Sequence, residues 1–507
     1  MNKTSTNKSL VINLVSALVV FAINLLISFL LTPYIVKTLG GDANAFVTMA
    51  NTFVSYITII TVALNSMASR FITIALVNGD KQEADEFYSS TFAGNVALMA
   101  ILSIPVTLGI VFLDKFLKIS PDLVMPVKLL FMFVFISFFI STVMPVWNVA
   151  AFATNRVYLQ SIGNMISNGT RVLVIVLLFA CFPTKLWYVG LAGVVSMVAL
   201  QIWQFSYKRR ILKDLRVNVK NIHFSRIKEL LATGIWNSVN QLGVLLFGGL
   251  DLILANAFAT EWMKIIAVAQ VVPNFLGSLQ GTITSVFTPN MTILYAKGKI
   301  DELKQDLFRA GKINIALLGI PFAILLAFGH DFFALWVPEM DPTNLQILSI
   351  LYSLSYAVVV GTAPLWNLFI IVNKTKANSN SVIISGVISV AATFVALEYT
   401  HSLGAAIAIC GISSIISILR NVVFVIPVSA KYLGLKWTTF FPLLGYTLLN
   451  FGVDILIGLV IRHFIPVHGW LTLAFAAILL MIFSLCFGMF GILNKSERAF
   501  VLKKFIK

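Results

Sequence analysis

Pro145-Val146-Trp147-Asn148 returns 219 residues later as Pro364-Leu365-Trp366-Asn367. At the same offset Asn95-Val96-Ala97-Leu98 becomes Asn314-Ile315-Ala316-Leu317, and Ser66, Gly79 and Glu83 align with Ser285, Gly298 and Glu302. Identity is low, nine of the 57 positions from Asp42 to Leu98. A proline–tryptophan motif recurring at an unchanged offset marks a duplication all the same. Internal repeats of this kind are a signature of membrane transporters.

The sequence around the motif is strongly apolar. Of 507 residues, 59% are hydrophobic and 11% charged, and the mean hydropathy is +0.94. A soluble domain carries roughly 25% charged residues, so lipid is the solvent for most of this chain. A spanning helix needs about 20 mostly apolar residues. Fourteen stretches qualify: 10–36, 43–69, 88–113, 124–153, 160–182, 187–207, 229–258, 265–290, 310–334, 345–372, 379–398, 404–428, 440–462 and 469–492. The first is too long for a secretory signal and no small-residue cleavage site follows it. The ten-residue alternation of a membrane β-barrel is absent.

The repeat unit therefore holds six spans. An even number inserts both copies the same way up, as parallel repeats. The expected fold is an all-α polytopic membrane protein with 14 transmembrane helices: two parallel six-helix bundles plus two C-terminal helices. The expected divisions are a first bundle at 1–207, a basic cytosolic linker at 208–228, a second bundle at 229–430, and spans 13 and 14 with a basic tail at 431–507.

The net charge of +16 could point to nucleic acid, but the charges lie between apolar runs and read as topogenic signals. With the N-terminus in the cytosol, the cytosolic segments hold 27 Lys and Arg and the external loops seven. The positive-inside rule then places both termini inside, and no nucleic-acid partner is expected. The basic stretch from Lys208 to Lys228 reads as a linker along the anionic leaflet. Two cytosolic turns repeat as well. Asn78-Gly79-Asp80 ends span 2, with glycine suited to a left-handed cap, and Asp80 with Glu83 resembles a capping box. Lys297-Gly298 and Asp301-Glu302 restate the pattern. Cys181, Cys410 and Cys486 lie within apolar runs and the five histidines are scattered, so neither metal site nor disulfide framework is expected.

Polar residues at bilayer depth mark candidate pathways. In span 2, Thr48, Asn51, Ser55, Thr58, Asn65 and Ser69 share about one 100° sector. Span 8 carries Gln270, Asn274, Gly277, Gly281, Thr284 and Thr288 on one face, four of them at repeat positions of span 2. Span 7 carries Asn237, Asn240, Gln241, Gly248 and Asp251, and span 1 carries Asn13, Ser16 and Asn24. Such residues can be interhelical hydrogen-bond partners; recurrence of amides at matched positions favours a wet cavity.

Four charges sit inside spans: Arg171, Asp251, Arg420 and Asp454. Arg70 lies near the cytosolic end of span 2. Arg171 shares a face with Asn164 and Asn168, and spans 1–6 contain no Asp or Glu in their cores. It must be met by an anionic ligand, water, backbone carbonyls or a partner from the other half. Its planar fork suits phosphate. Arg420 is expected to pair with Asp454 or Asp251. Either acid could instead couple transport to a proton or sodium counter-ion.

Two six-helix halves plus two helices, with Ala68-Ser69-Arg70 running into Asn78-Gly79-Asp80, resemble the multidrug/oligosaccharidyl-lipid/polysaccharide exporter superfamily, and within it the polysaccharide-transporter, Wzx-type flippase branch. The resemblance covers nearly the whole chain and implies a MATE-like, V-shaped fold working by alternating access, with helices 1, 2, 7 and 8 lining a central cavity. It implies a polyprenyl-diphosphate-linked oligosaccharide moved to the outer leaflet of a bacterial cytoplasmic membrane for surface polysaccharide biosynthesis. No cofactor and no enzymatic activity are implied, and the expected unit is a monomer working beside polysaccharide-assembly proteins. Arg70 and Arg171 are the positions that could meet the diphosphate. In some relatives helices 13 and 14 form a groove for the lipid tail. The alternative is an ion-coupled multidrug exporter of the same superfamily, disfavoured because span 1 lacks the acidic residue that cation exporters often carry there.

Overall fold

The structure is a computed structural model describing residues 19–499 apart from 21, 24, 25, 28, 155, 157 and 286. Every regular element among the described residues is helical. Among the described residues, thirteen helices are long and apolar enough to cross a membrane. In chain order, after the short apolar α1 (Phe29–Leu39), they are α2 (Gly41–Leu76), α3 (Lys81–Val111), α4 (Val124–Val143), α5 (Tyr158–Cys181), α6 (Trp187–Ile211) and α7 (Phe224–Phe258). There follow α8 (Thr260–Thr284), α9 (Ile300–Trp336), α10 (Pro342–Thr362), α11 (Thr375–Tyr399), α12 (Leu403–Tyr432), α13 (Pro442–Phe464) and α14 (Trp470–Ile492). The expectation of fourteen is thus met closely, with α1 standing where span 1 ends. The first part of span 1 lies outside the described residues, as do its Asn13, Ser16 and Asn24.

The 219-residue offset reappears in the helices: α3 opens at Lys81 and α9 at Ile300. The turn before each contains a left-handed glycine, Gly79 (φ 80°) and Gly298 (φ 68°), where a Cβ would be strained. The caps diverge. Asp80 accepts a hydrogen bond from the Glu83 N–H at 2.9 Å, but Asp301 does not cap α9, which starts after Lys299 with no side-chain cap. Glu302 pairs with Lys299 instead, at 2.6 Å.

The motif itself breaks a helix in each half. Pro145–Asn148 forms one turn of 3-10 helix after α4, and Val360–Thr362 does so just before Pro364. Proline cannot donate the next helical hydrogen bond. Each motif then docks on the sixth helix of its own half: the Tyr207 hydroxyl donates to Asn148 Oδ1 at 2.7 Å, and the Trp366 indole donates to Asn421 Oδ1 at 2.8 Å.

The chain divides into two compact units, Met1–Leu242 and Gly243–Lys507. The division falls inside α7, beyond the expected linker. In the first unit a hydrophobic cluster joins Leu64, Ala68 and Ile72 of α2 to Phe87 and Tyr88 of α3, Leu215 of the linker and Leu230 of α7. The linker is fastened to α3. Ser89 Oγ accepts from the Asn218 N–H (3.1 Å) and Ser90 Oγ from the His223 N–H (2.9 Å). Buried Lys208 donates to the Leu215 carbonyl. Arg226 sits 4.6 Å from the Phe87 ring and pairs with Glu83, Glu86 and Glu229. At the opposite end of α3, Asp114 accepts from Lys128 at 2.5 Å, which holds its carboxyl below the ordinary carboxylate range.

The second unit is built around α9. Its apolar window is 72% buried, and at 37 residues it is about 55 Å long, well beyond the roughly 30 Å hydrocarbon core. Glycines let its neighbours approach. A Cβ on Gly311 would lie 2.4 Å from the Gly361 carbonyl oxygen, and one on Gly319 would lie 2.7 Å from both Asn450 Nδ2 and Asp454 Oδ2. Small residues replace the hydrophobic effect as the means of close helix packing in lipid. Gly311→Ala is therefore expected to destabilise the protein by about 1–3 kcal/mol, because a backbone carbonyl cannot swing aside. Thermal unfolding in detergent should show it, while Gly452→Ala, which meets nothing within 4 Å, should leave the midpoint unmoved.

Candidate functional site

In the first unit the polar face of α2 is graded along its length. Asn51 is exposed and Ser55 and Asn65 are half-buried. Asn51 Nδ2 donates to the Val47 carbonyl (2.9 Å) and Ser55 Oγ to the Asn51 carbonyl (3.1 Å). These are local back-bonds, which leave the outward face of each group open. Asn65 and the fully buried Asn95 of α3 exchange hydrogen bonds at 3.1 and 2.9 Å. The repeat preserves this pair: Asn314 Nδ2 donates to Thr284 Oγ1 at 3.0 Å in the second unit. Asn65 and Thr284 are thus fasteners between the second and third helices of their halves. Asn237, on the part of α7 belonging to the first unit, is exposed and donates to Ser66 Oγ at 3.1 Å. Gln241 is half-buried one turn further on.

The two candidate arginines of this unit, Arg70 and Arg171, carry no ion pair among the described residues. Arg70 is exposed at the end of α2. Arg171 is half-buried, and its Nε is buried without a hydrogen-bond partner. It lies one turn before the fully buried Ile175 of α5, so this side of α5 faces the unit's interior. An unpaired guanidinium there is costly in lipid and points to a ligand.

In the second unit α7 is interrupted at Gly249–Leu250 and resumes at Asp251, the first residue of Asp251–Phe258. Asp251 is 5% exposed. Tyr352 of α10 and Cys410 of α12 lie close to its carboxylate. Gln270 Nε2 donates to the Tyr352 hydroxyl oxygen at 3.1 Å. Asp251 and Gln270 are therefore brought together through a tyrosine, while Asp251 Oδ2 keeps no hydrogen-bond partner. Asn274, one turn beyond Gln270, is exposed.

The expected pairing of Arg420 with an acid is overturned. Its Nε donates to Ser381 Oγ at 2.8 Å and its Nη2 to Asn378 Oδ1 at 2.5 Å, both on α11. Two neutral oxygens of the neighbouring helix thus take the place of an acid, and α12 passes into a π-turn, Asn421–Val425, immediately after the arginine. Asp454 belongs to a separate node on α13: Asn450 Nδ2 donates to it at 2.6 Å, and Gly319 of α9 leaves room for the contact. Tyr352, Cys410 and Asn95 were not singled out as site residues from sequence. Asn95 had a signal, its repeat match to Asn314; Tyr352 and Cys410 had none, being single polar atoms within apolar runs.

No family model matches the chain. An inward-facing multidrug-resistance MATE family transporter of the MOP superfamily superimposes with a TM-score of 0.65 at 15% identity, over 77% of this chain and 92% of that one. The lipid II flippase MurJ, inward closed, superimposes with a TM-score of 0.68 at 14% identity, over 98% of this chain and all of its own. The fold is MATE-like. In sequence, the uncharacterized membrane protein EpsK of Bacillus subtilis (strain 168) is 30% identical over 506 residues, 98% of both chains. Similarity at that level along the whole length identifies the relationship: the chain belongs to the EpsK family of membrane proteins.

Proposed function

We propose that the protein is a flippase that moves a polyprenyl-diphosphate-linked oligosaccharide from the inner to the outer leaflet of a bacterial cytoplasmic membrane, serving surface polysaccharide assembly. The observation that carries this reading is Arg171, a guanidinium on the interior side of α5 with its Nε unpartnered. A planar, permanently charged fork in a low-dielectric setting is matched by phosphate oxygens. Arg70, exposed at the end of α2, provides a first contact for the diphosphate. Asn51, Ser55, Asn237, Gln241 and Asn274 offer amides and hydroxyls for sugar hydroxyls. The two halves alternate access, with both termini in the cytosol, and a proton or sodium ion at Asp251 supplies the coupling. A lipid II flippase shares the fold along its entire length, α13 and α14 included.

The test is transbilayer movement in proteoliposomes. A fluorescent undecaprenyl-diphosphate oligosaccharide should become accessible to an external quencher faster than in protein-free vesicles. No acceleration, together with gradient-driven extrusion of a cationic dye, would reject the flippase in favour of a drug exporter.

A further inference from the structure

At one end of the second unit a polar cavity of about 460 Å³ opens between the first turns of α9, the start of α13 and the segment after α14. Three cations line it, Lys304, Arg309 and Lys312, against a single carboxylate, Glu497. The floor is a closed ion pair: Lys312 (8% exposed) donates to Glu497 (5% exposed) at 3.1 Å, and its ammonium stands 4.9 Å from the Tyr446 ring. Glu497 is itself fixed by the Asn494 N–H at 2.8 Å. Arg309 pairs with buried Asp306 at 2.9 Å. Lys304 has no ion pair among the described residues and remains half-exposed.

The depth of the cavity is set by the three helices. Apolar sequence runs from Ile313 onward in α9, begins at Pro442 in α13 and ends at Leu493 after α14. The cavity therefore lies where hydrocarbon gives way to water, the level of lipid phosphates. One turn before Asn494, Phe490 is 70% exposed and offers an apolar flank. Basic pockets between transmembrane helices at this level recognise anionic headgroups.

We propose that this cavity binds the phosphate of an anionic phospholipid, held by Lys304 and Arg309 over the Lys312–Glu497 pair. Because Glu497 neutralises Lys312 and Asp306 faces Arg309, the unbalanced charge belongs to Lys304. Gln305, Asn494 and Ser496 in the lining suit a glycerol headgroup. The site shares no residue with those placed around Asp251 and Arg171 and does not depend on what the protein transports.

The test uses the purified full chain and thermal unfolding with added dioleoyl-phosphatidylglycerol or dioleoyl-phosphatidylcholine. The anionic lipid should raise the midpoint and the zwitterionic lipid should not. Lys304→Ala should weaken the response about fivefold, the contribution of one basic residue near anionic lipid, and Lys304→Arg should restore it. Each variant's lipid-free midpoint reports whether it folds; should Lys304→Ala not fold, Arg309→Gln replaces it. Equal responses to the two lipids, or an undiminished response in a folded alanine variant, would overturn the proposal. So would equal protection by inorganic phosphate, or displacement of the phospholipid by sub-stoichiometric undecaprenyl phosphate, which would assign the cavity to free anion or to cargo.

Discussion

Arg171→Ala is expected to lower translocation of a lipid-linked oligosaccharide at least tenfold while the protein still inserts and unfolds at nearly its wild-type temperature. The two halves of that expectation come from one observation. The guanidinium has no ion pair and its Nε has no hydrogen-bond partner among the described residues, so its removal takes no native bond with it. An arginine that held the bundle together would behave oppositely, because breaking a buried pair typically costs 3–5 kcal/mol. Loss of a charge-assisted hydrogen bond to a ligand costs about 1.5–3 kcal/mol, which is tenfold or more. Arg171→Lys keeps the charge but not the fork and should fall between. Surface polysaccharide in cells and quencher accessibility in proteoliposomes measure the same step. Normal polymer from the alanine variant would remove Arg171 from the cargo's path.

Asp251→Asn is expected to abolish the response of transport to a proton or sodium gradient, reducing the driven rate to the undriven one. Asparagine has nearly the same size and shape, so the local packing of α7, α10 and α12 survives. What it cannot do is bind and release a cation or proton at the oxygen that lacks a partner, Oδ2. A carboxylate sealed from water requires such a balancing charge. Tyr352→Phe should preserve coupling but raise the ion concentration needed, since it removes the hydroxyl that stands beside the carboxylate. Imposing the pH and sodium gradients separately identifies the ion. A gradient dependence that survives in Asp251→Asn would move the coupling elsewhere.

The helices and their duplication were readable because lipid imposes a simple code: about twenty apolar residues per crossing, and one offset for every matched turn. Even the starts of α3 and α9 obey it. The sequence was misleading about length. Expected spans began at 88 and 310, yet α3 and α9 begin at Lys81 and Ile300, because their polar first turns bury residues such as Ala84, Phe87 and Leu303 against neighbours instead of lipid. Hydropathy cannot see a helix that continues into water. The candidate site was half legible. Its polar residues could be named, but not sorted: Asn65 and Thr284 are fasteners, Asn51 and Asn274 are exposed, and both kinds look the same on a helical wheel. Arg420 shows the opposite error. Charge alone predicted an acidic partner, while the fold supplies a serine and an asparagine.

The seam inside α7 carries a consequence for how the chain is made. Residues 224–242 belong to the first unit. Gly234 leaves room for the Ala63 carbonyl of α2, which a Cβ there would meet at 1.9 Å, and Ser238 Oγ donates to the Ile59 carbonyl at 2.6 Å. The ancestral module of six helices and the unit that closes are therefore different objects. During synthesis the first six segments emerge with one side of α2 still bare. It is covered only when the ribosome delivers the opening turns of the next module. Gene duplication set one boundary and co-translational assembly uses another, some twenty residues downstream.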